Sequence, residues 1–491
     1  MSLGAYLLIA AALGAFVPAA RRRLQLSRAK HPSLRGHARM SRRAARLIRS
    51  FSYDDDVAFV TDGAPAEIGR ARREALARLR AQVRATAARS LATSTALDGK
   101  VSDVRFTASY RVPFPFRDLI GSELAYGSIV EESDGVRVKD VDGNWRYDLS
   151  GSYGVNVFGY DFYKECIAAG SARVGELGPV LGPYHPVLLD NVERLRAISG
   201  LDEVSFHMSG TEAVMQAVRQ ARYHTRRTHL VRFCGSYHGW WDGVQPGVGN
   251  QRKVDDVYTL ADLSERSLQV LDSRNDIACV VVNAAQAFHP NSDTGGDSTL
   301  IASDRSTSYD RARYAEWLQR VREVCTRRGI VLILDEVFTG FRLARGGAQE
   351  YFGVRADLVT YGKTLGGGLP IGVLCGRADL MKRYREDAPA DISFARGTFN
   401  SHPYVMGAMN EFLRRLDSDA IRSLYERLDE SWDRRVANLN DRLAAADLPV
   451  RIANMQTVLA VLYTTPSRYN WMFQFYLKAH GLELGWIGTA R

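Results

Sequence analysis

The sequence predicts an α/β fold built on a mostly parallel sheet with helices on both faces. Three observations carry the prediction. The apolar run Ile330–Leu334 reads as a strand buried on both sides. Successive strand-like runs end at or near Tyr237, Gln286, Asp335 and Lys363, all residues with chemical capacity. Three consecutive glycines, Gly366–Gly368, then follow the lysine. In open α/β sheets ligands bind beyond the carboxyl ends of the strands, so an acid and a lysine are offered to one edge.

Composition sets the bounds. The 491 residues are 46% hydrophobic and 24% charged, which fits a globular enzyme of two or three domains. Cys166, Cys234, Cys279, Cys325 and Cys375 are widely spaced, without CxxC or Cys/His metal spacing. They read as buried free thiols in a reducing compartment. The net charge of +10 is uneven: residues 21–100 hold 19 basic and 7 acidic side chains, a surplus of 12, which leaves −2 for the rest. That pattern marks a local basic arm and argues against nucleic acid as a partner.

Taken in order, residues 3–20 form an uncharged run of 18, at the lower limit for a spanning helix, followed at once by Arg21, Arg22 and Arg23. The positive-inside rule leaves the arginines and everything after them in the cytoplasm, anchored to the inner face of a membrane. A cleaved signal peptide would need a positive region before the apolar core. A buried or interfacial helix is the other alternative, because Gly4, Gly14 and Pro18 weaken a span. The preferred reading is a membrane-associated helix over 1–20. Residues 21–100 then supply a basic linker and an amphipathic helix near 64–90. Leu76, Leu79 and Val83 mark its apolar face, for packing on the enzyme body or a second subunit.

From about residue 101 the catalytic part begins. Residues 135–160 alternate as strands around the turn Asp142–Gly143. Ser209-Gly210-Thr211 opens a helix, where free backbone N–H groups and the helix dipole suit a phosphate. An ordinary cap made with Glu212 is the bland alternative. The next strand ends in Tyr237-His238-Gly239, and the one after it in Gln286. Residues 288–308 are polar and glycine-containing, a lid or insertion loop. Asp335 and Lys363 complete the series.

A lysine amine forms a Schiff base with a carbonyl. Pyridoxal phosphate is the common carbonyl cofactor of that kind. It is held by such a lysine and needs an acid opposite its ring nitrogen, which the acid keeps protonated by charge. The three glycines would let cofactor and substrate approach the backbone. Taken singly, Asp335 reads as a buried paired acid and Lys363 as a surface lysine.

Together, DEV-x-TGFR from Asp335 and GK-x-LGGG-x-P-x-G from Gly362 resemble the class III aminotransferases of fold type I, and most of all their glutamate-1-semialdehyde aminomutase branch. The resemblance implies a large domain (166–405) with a seven-stranded, mostly parallel sheet. A smaller α+β domain would be built from both chain ends (101–165 and 406–491). It implies Lys363 as the Schiff-base lysine and Asp335 as the partner of the ring nitrogen. Ser209, Gly210 and Thr211 become the phosphate cradle. Tyr237 stacks on the ring with His238 alongside, and Gln286 meets the phenolic oxygen. Thr398, in Arg396-Gly-Thr-Phe-Asn400, reaches the cofactor phosphate of a neighbouring subunit, which requires a homodimer.

Three departures stand out. Gly159-Tyr160-Asp161-Phe162 replaces the family's Gly-His-x-His-Pro. Asn283-Ala284-Ala285-Gln286 replaces Glu-Pro-x-Gln. The family also continues for a few dozen residues past the position of Arg491, so the expectation is either an abbreviated small domain or a sequence that stops early. The implied activity is transfer of an amino group from an amino-acid donor to a ketone or aldehyde, with Lys363 as the general base. The apolar N-terminus suggests a lipid-like acceptor. An intramolecular aminomutase and a non-catalytic scaffold on the same fold are the alternatives. Retention of Lys363 and Asp335 argues against the scaffold.

Overall fold

The structure, a computed structural model, describes residues 3–30, 47, 52–104, 106, 114–121, 123–126, 129–245, 250–252, 254–288, 309–465, 467–484 and 489–490. The strands in chain order are β1 (Val130–Asp134), β2 (Arg137–Asp140), β3 (Trp145–Asp148), β4 (Glu203–His207), β5 (His229–Phe233), β6 (Val257–Leu260) and β7 (Ile277–Val282). They continue with β8 (Val331–Asp335), β9 (Leu358–Gly362), β10 (Gly372–Gly376), β11 (Val450–Met455), β12 (Val458–Tyr463), β13 (Leu482–Glu483) and β14 (Thr489–Ala490).

The seven-stranded sheet has the order β4-β10-β9-β8-β7-β5-β6. Strands β5 to β9 are parallel, whereas β10 runs antiparallel to both β4 and β9. Every residue of β7, β8, β9 and β10 is buried. The pleat splits their side chains between two cores. Val280, Val282, Leu332, Leu334 and Val359 share one core with Trp317 and Leu318 of helix Arg311–Arg328. Cys279, Val281, Val331, Ile333 and Leu358 share the other with Val214, Ala217 and Val218 of helix Gly210–Thr225. Each such side chain contributes about 1.5–3 kcal/mol by leaving water. The apolar runs therefore carry no polar alternation, because neither face meets solvent. All five cysteines are buried free thiols.

The chain ends form two smaller sheets beside the main one. Strands β1, β2, β3 and β13 form one small sheet, with β13 parallel to β3, and β11, β12 and β14 form another. The expected amphipathic helix forms over Ala66–Thr86 and buries Leu76, Leu79 and Val83. It packs on its own chain, against Phe116, Trp471, Met472 and Phe475. The hairpin turn falls at Gly143, whose φ is +88°. There the Asp142 carboxylate accepts from the N–H groups of Arg89 (2.7 Å) and Ser90 (2.8 Å), tying the next helix, Ala88–Leu97, to the hairpin.

At the N-terminus the helix runs over Leu3–Arg28, straight through the arginines, so the boundary expected at residue 20 is corrected. Its end is docked rather than free. Gln25 Nε2 donates to Ser273 Oγ at 3.0 Å, Arg274 donates to the Arg22 carbonyl at 2.7 Å, and Ala261 N–H donates to the Ala29 carbonyl at 2.9 Å. Farther back, Phe16 and Val17 are exposed. Among the described residues no helix is long and apolar enough to cross a membrane. Residues 31–46 and 48–51 of the expected linker, and 289–308 of the expected lid, lie outside the described residues.

Candidate active site

Four sheet strands deliver the site. Strands β8 and β9 are parallel neighbours with Asp335 opposite Thr360, so their ends bring Asp335 and, after Gly362, Lys363 to the same edge. Asp335 is 3% exposed. One of its oxygens accepts from Val337 N–H at 3.1 Å and Thr360 Oγ1 at 3.2 Å; the other meets His238 Nδ1 at 2.7 Å. His238, from the loop after β5, is 1% exposed. Burial pushes its pKa down, against the pull of the Asp335 hydrogen bond. The ring is therefore neutral near pH 7, its Nδ1–H donates to the carboxylate, and Nε2 is left as an acceptor. That Nε2 is buried with no hydrogen-bond partner among the described residues.

Gln286 sits on a short 3₁₀ turn, Ala284–Ala287, directly after β7. It is 6% exposed, and its Oε1 is buried and unpartnered among the described residues. Asn283 stands where the family's acid was expected. Its Oδ1 accepts from Ala285 N–H at 3.1 Å and its Nδ2 donates to the Tyr237 carbonyl at 3.1 Å. The departure thus carries a role: a neutral amide joins the end of β7 to the loop after β5. Tyr237 itself is largely exposed.

Close backbone approaches bring the phosphate-type turn to the same place. Ser209 caps helix Gly210–Thr225, accepting from Glu212 N–H at 3.3 Å, while Met208 N–H donates to Glu212 Oε2 at 2.9 Å. The ordinary cap is therefore present, and the Ser209 hydroxyl proton stays available to a second group. A Cβ on Gly210 would lie 2.6 Å from Val337 Cγ1. One on Gly239 would lie 2.5 Å from Thr211 Oγ1, and one on Gly372 only 1.9 Å from the Ser209 carbonyl. So the Ser209–Thr211 turn, the Tyr237–Gly239 loop and the segment after Asp335 close on one another.

Lys363 starts the turn Lys363–Gly366 with φ +47°, in the left-handed region. A non-glycine residue held there costs on the order of 1 kcal/mol or more, the kind of strain that collects at functional sites. Its neighbour Thr364 hydrogen-bonds Tyr163 through the two hydroxyls. Atoms of this chain crowd the three glycines. A Cβ on Gly367 would lie 2.4 Å from the Ala408 carbonyl, and one on Gly368 3.0 Å from Ile167. Gly367 and Gly368 thus admit the helices Pro403–Leu416 and Tyr160–Val174, while a Cβ on Gly366 would meet Ile371 at 3.1 Å. Thr398 is exposed on a separate loop, which Arg396 links to the Gly182 carbonyl at 3.3 Å. No hydrogen bond among the described residues joins Thr398 to Asp335 or Lys363.

Two features escaped the sequence. Glu336 is as buried as Asp335 but serves another purpose. It accepts from Thr339 Oγ1 (2.7 Å), Ala348 N–H (2.9 Å) and Gln349 N–H (3.0 Å), at the start of helix Gly347–Phe352. Burial still pushes its pKa up to about 7. The second is the loop Gly151–Gly154, left-handed at all four residues with φ of +55°, +48°, +58° and +82°. Asp148 holds it, accepting from Ser150 N–H (2.9 Å), Ser152 N–H (3.0 Å) and the Tyr160 hydroxyl (2.6 Å). A Cβ on Gly154 would lie 2.5 Å from Phe338, and Arg342 donates to the Gly154 carbonyl at 2.8 Å. The loop therefore leans on the segment after Asp335. Tyr160, in the departed Gly159–Phe162 stretch, is one of its supports.

This donor set fits pyridoxal phosphate. A buried carboxyl group, Asp335, suits a protonated ring nitrogen. The orphaned Gln286 amide suits a ring oxygen. The N–H groups at Gly210 and Thr211 suit a phosphate.

Comparison with known proteins agrees. The family described as aminotransferase class-III matches residues 122–256 and 310–490. The glutamate-1-semialdehyde 2,1-aminomutase of Flavobacterium johnsoniae is 31% identical over 351 residues, covering 68% of this chain and 76% of that protein. A glutamate-1-semialdehyde-aminomutase structure from Pseudomonas aeruginosa PAO1 superposes with a TM-score of 0.68 at 19% identity, over 86% of this chain and 93% of that one. A transaminase solved with PLP bound gives a TM-score of 0.61 at 27% identity, over 74% and 85%. The fold expected from the sequence, fold type I with a seven-stranded, mostly parallel sheet, holds.

Proposed function

The chain belongs to the class III aminotransferases, and from that premise we propose that it moves an amino group from an amino-acid donor to a ketone or aldehyde, with Lys363 as its catalytic amine. Pyridoxal 5'-phosphate, the cofactor, supplies an exchangeable carbonyl and an electron sink. The protein's residues do the rest. Gly210 and Thr211 N–H groups, with the Ser209 and Thr211 hydroxyls, hold the phosphate. Asp335 keeps a proton on the ring nitrogen by charge. His238 fixes the carboxylate through its Nδ1–H and so acts as a positioning residue. Gln286 binds the phenolic oxygen, and Tyr237 covers the ring face. Lys363 would hold the cofactor through its Nζ and, with that amine free, would be the base placed to take a proton from the substrate's α-carbon.

The observation that carries this reading is the buried Asp335–His238 pair at the end of β8, beside the strained Lys363 at the end of β9. An intramolecular aminomutase is the second reading, favoured by the name of the Flavobacterium johnsoniae relative. The visible spectrum of the holoenzyme separates them. Stoichiometric bleaching by L-glutamate or another amine donor supports a transaminase. A cofactor band that no donor alters supports the aminomutase. Absence of any cofactor band with added pyridoxal phosphate contradicts both.

The same proposal extends to assembly and place. The exposed loop bearing Thr398 suits a homodimer in which that hydroxyl reaches the partner's cofactor phosphate. Residues 166–405 serve as the cofactor domain, with 101–165 and 406–491 as the small domain. The uncharged run 3–20, with Phe16 and Val17 exposed and Arg21–Arg23 adjoining, suits a cytoplasmic enzyme resting on the inner face of a membrane and taking a lipid-like acceptor. Vesicle flotation with and without residues 1–20 tests the membrane part; equal flotation of both forms contradicts it.

A further inference from the structure

A surface cavity of about 460 Å³ opens at the C-terminal end of helix Gly210–Thr225. That is the end opposite to Ser209–Thr211. Sixteen residues of helix separate the two, roughly 24 Å at 1.5 Å per residue. Four arginines line it: Arg219, Arg222, Arg226 and Arg227. Among the described residues two carboxylates form ion pairs with them, and Asp387, itself paired with Arg385, is near enough to Arg226 to feel its charge. Asp256 lies 2.8 Å from Arg222, and Asp391 pairs with Arg226. Arg227 donates to the carbonyls of Ile277 (3.1 Å), Arg328 (2.9 Å) and Gly329 (3.1 Å), which fixes the guanidinium without neutralising it. Arg219 is exposed and has no acidic partner among the described residues. Two positive charges are therefore left over on one wall.

The wall is also organised. Arg226 lies over the Tyr223 ring, 5.0 Å from its centroid, so its side chain is already ordered. Ser393, 3% exposed, contributes a hydroxyl that is buried without a hydrogen-bond partner among the described residues. Basic residues in a last helical turn answer the helix dipole. That accounts for Arg222 and Arg226, but not for Arg219 or for the orphaned hydroxyl.

We propose that this cavity is a binding site for a small phosphate-bearing anion of two or more charges, such as a phosphate ester or a diphosphate. Guanidinium forks match phosphate oxygens two at a time. Two uncompensated charges call for an anion of at least two charges, and a monocarboxylate would leave one unanswered. The volume lies within the range of about 300–1,000 Å³ typical of small-molecule sites. The site is separate from the cofactor's own phosphate cradle.

Holoenzyme is the form to test, because there the cofactor fills the Ser209–Thr211 cradle. Pyrophosphate is titrated calorimetrically, with sodium chloride of matched ionic strength as the control. The expected result is saturable binding of one pyrophosphate per chain. The R219Q/R226Q variant should bind about tenfold or more weakly, since charge-assisted hydrogen bonds are removed, with the cofactor's visible band unchanged. Arg219→Gln alone, at an exposed position, should show a smaller loss and no change in melting temperature. Absence of saturable binding at millimolar pyrophosphate overturns the proposal. So does equal affinity in wild type and a folded R219Q/R226Q variant.

Discussion

The sheet edge and the mouth loop beside it are built on opposite terms. At the edge, each polar group leaves a strand whose residues are buried, or a turn directly after one, and the partners are other strand ends: Asp335 with Thr360 and His238, Asn283 with Tyr237. At the mouth, Gly151–Gly154 belong to no sheet, and the left-handed backbone is propped by the side chains of Asp148, Tyr160 and Arg342 and by the N–H groups of Val155 and Asn156. A rigid edge suits the chemistry of a fixed cofactor. A loop propped by side chains suits the choice of substrate, because it can change without disturbing the sheet.

That contrast orders the expected effects. Lys363→Ala should remove the visible band and lower turnover by about 10²- to 10⁴-fold or more, the range for loss of a positioned base, as measured by product formation in steady state. Asp335→Asn should retain the fold but lower turnover on the order of 10²-fold and weaken cofactor retention on dialysis. The neutral amide no longer favours a protonated ring nitrogen. If Asp335→Asn behaves like a mouth variant, raising KM alone, the division between edge and mouth fails.

Gly367→Ala tests packing behind the lysine. The residue has φ +59°, and the new Cβ would fall 2.4 Å from a backbone carbonyl of helix Pro403–Leu416. Urea unfolding should show a loss of at least about 2 kcal/mol. Tyr160→Phe belongs to the mouth. Losing its hydrogen bond to Asp148 should cost about 1 kcal/mol and shift KM among acceptors, while the cofactor band stays as it was.

Glu336 lies outside both edge and mouth and acts on stability alone. Its folded pKa of about 7 lies above the ordinary 4.5, so the fold favours the protonated form. Its stabilising contribution is full below pH 4.5 and is lost as pH rises through about 7. Melting temperatures across that window should fall with pH in the wild type and fall less in Glu336→Gln. Equal slopes would remove Glu336 from the account.

The edge was legible because its strands are apolar runs whose ends are marked by a change of residue type. Asp335, Lys363, Gln286 and the Ser209 turn could all be located that way. What was not legible depends on partners distant in sequence. Glu336 finds its N–H donors 12 and 13 residues later, at Ala348 and Gln349. Asn283 looked like a lost acid because the Tyr237 carbonyl it binds lies on another strand's loop. Ser152 and Tyr153 are poor left-handed residues, so nothing local announces their turn. The glycines after Lys363 signalled close approach, and the helices that come close at Gly367 and Gly368 lie far away in sequence. The N-terminal helix runs past Arg23 because Ser273 and Arg274 hold its far end.

The most direct measurement is borohydride reduction of the holoenzyme, followed by digestion and peptide mass mapping. A single phosphopyridoxyl group on the peptide holding Lys363 is the predicted result. A label on any other lysine, or none on a protein that visibly carries the cofactor, would contradict the assignment of the sheet edge as the site of chemistry.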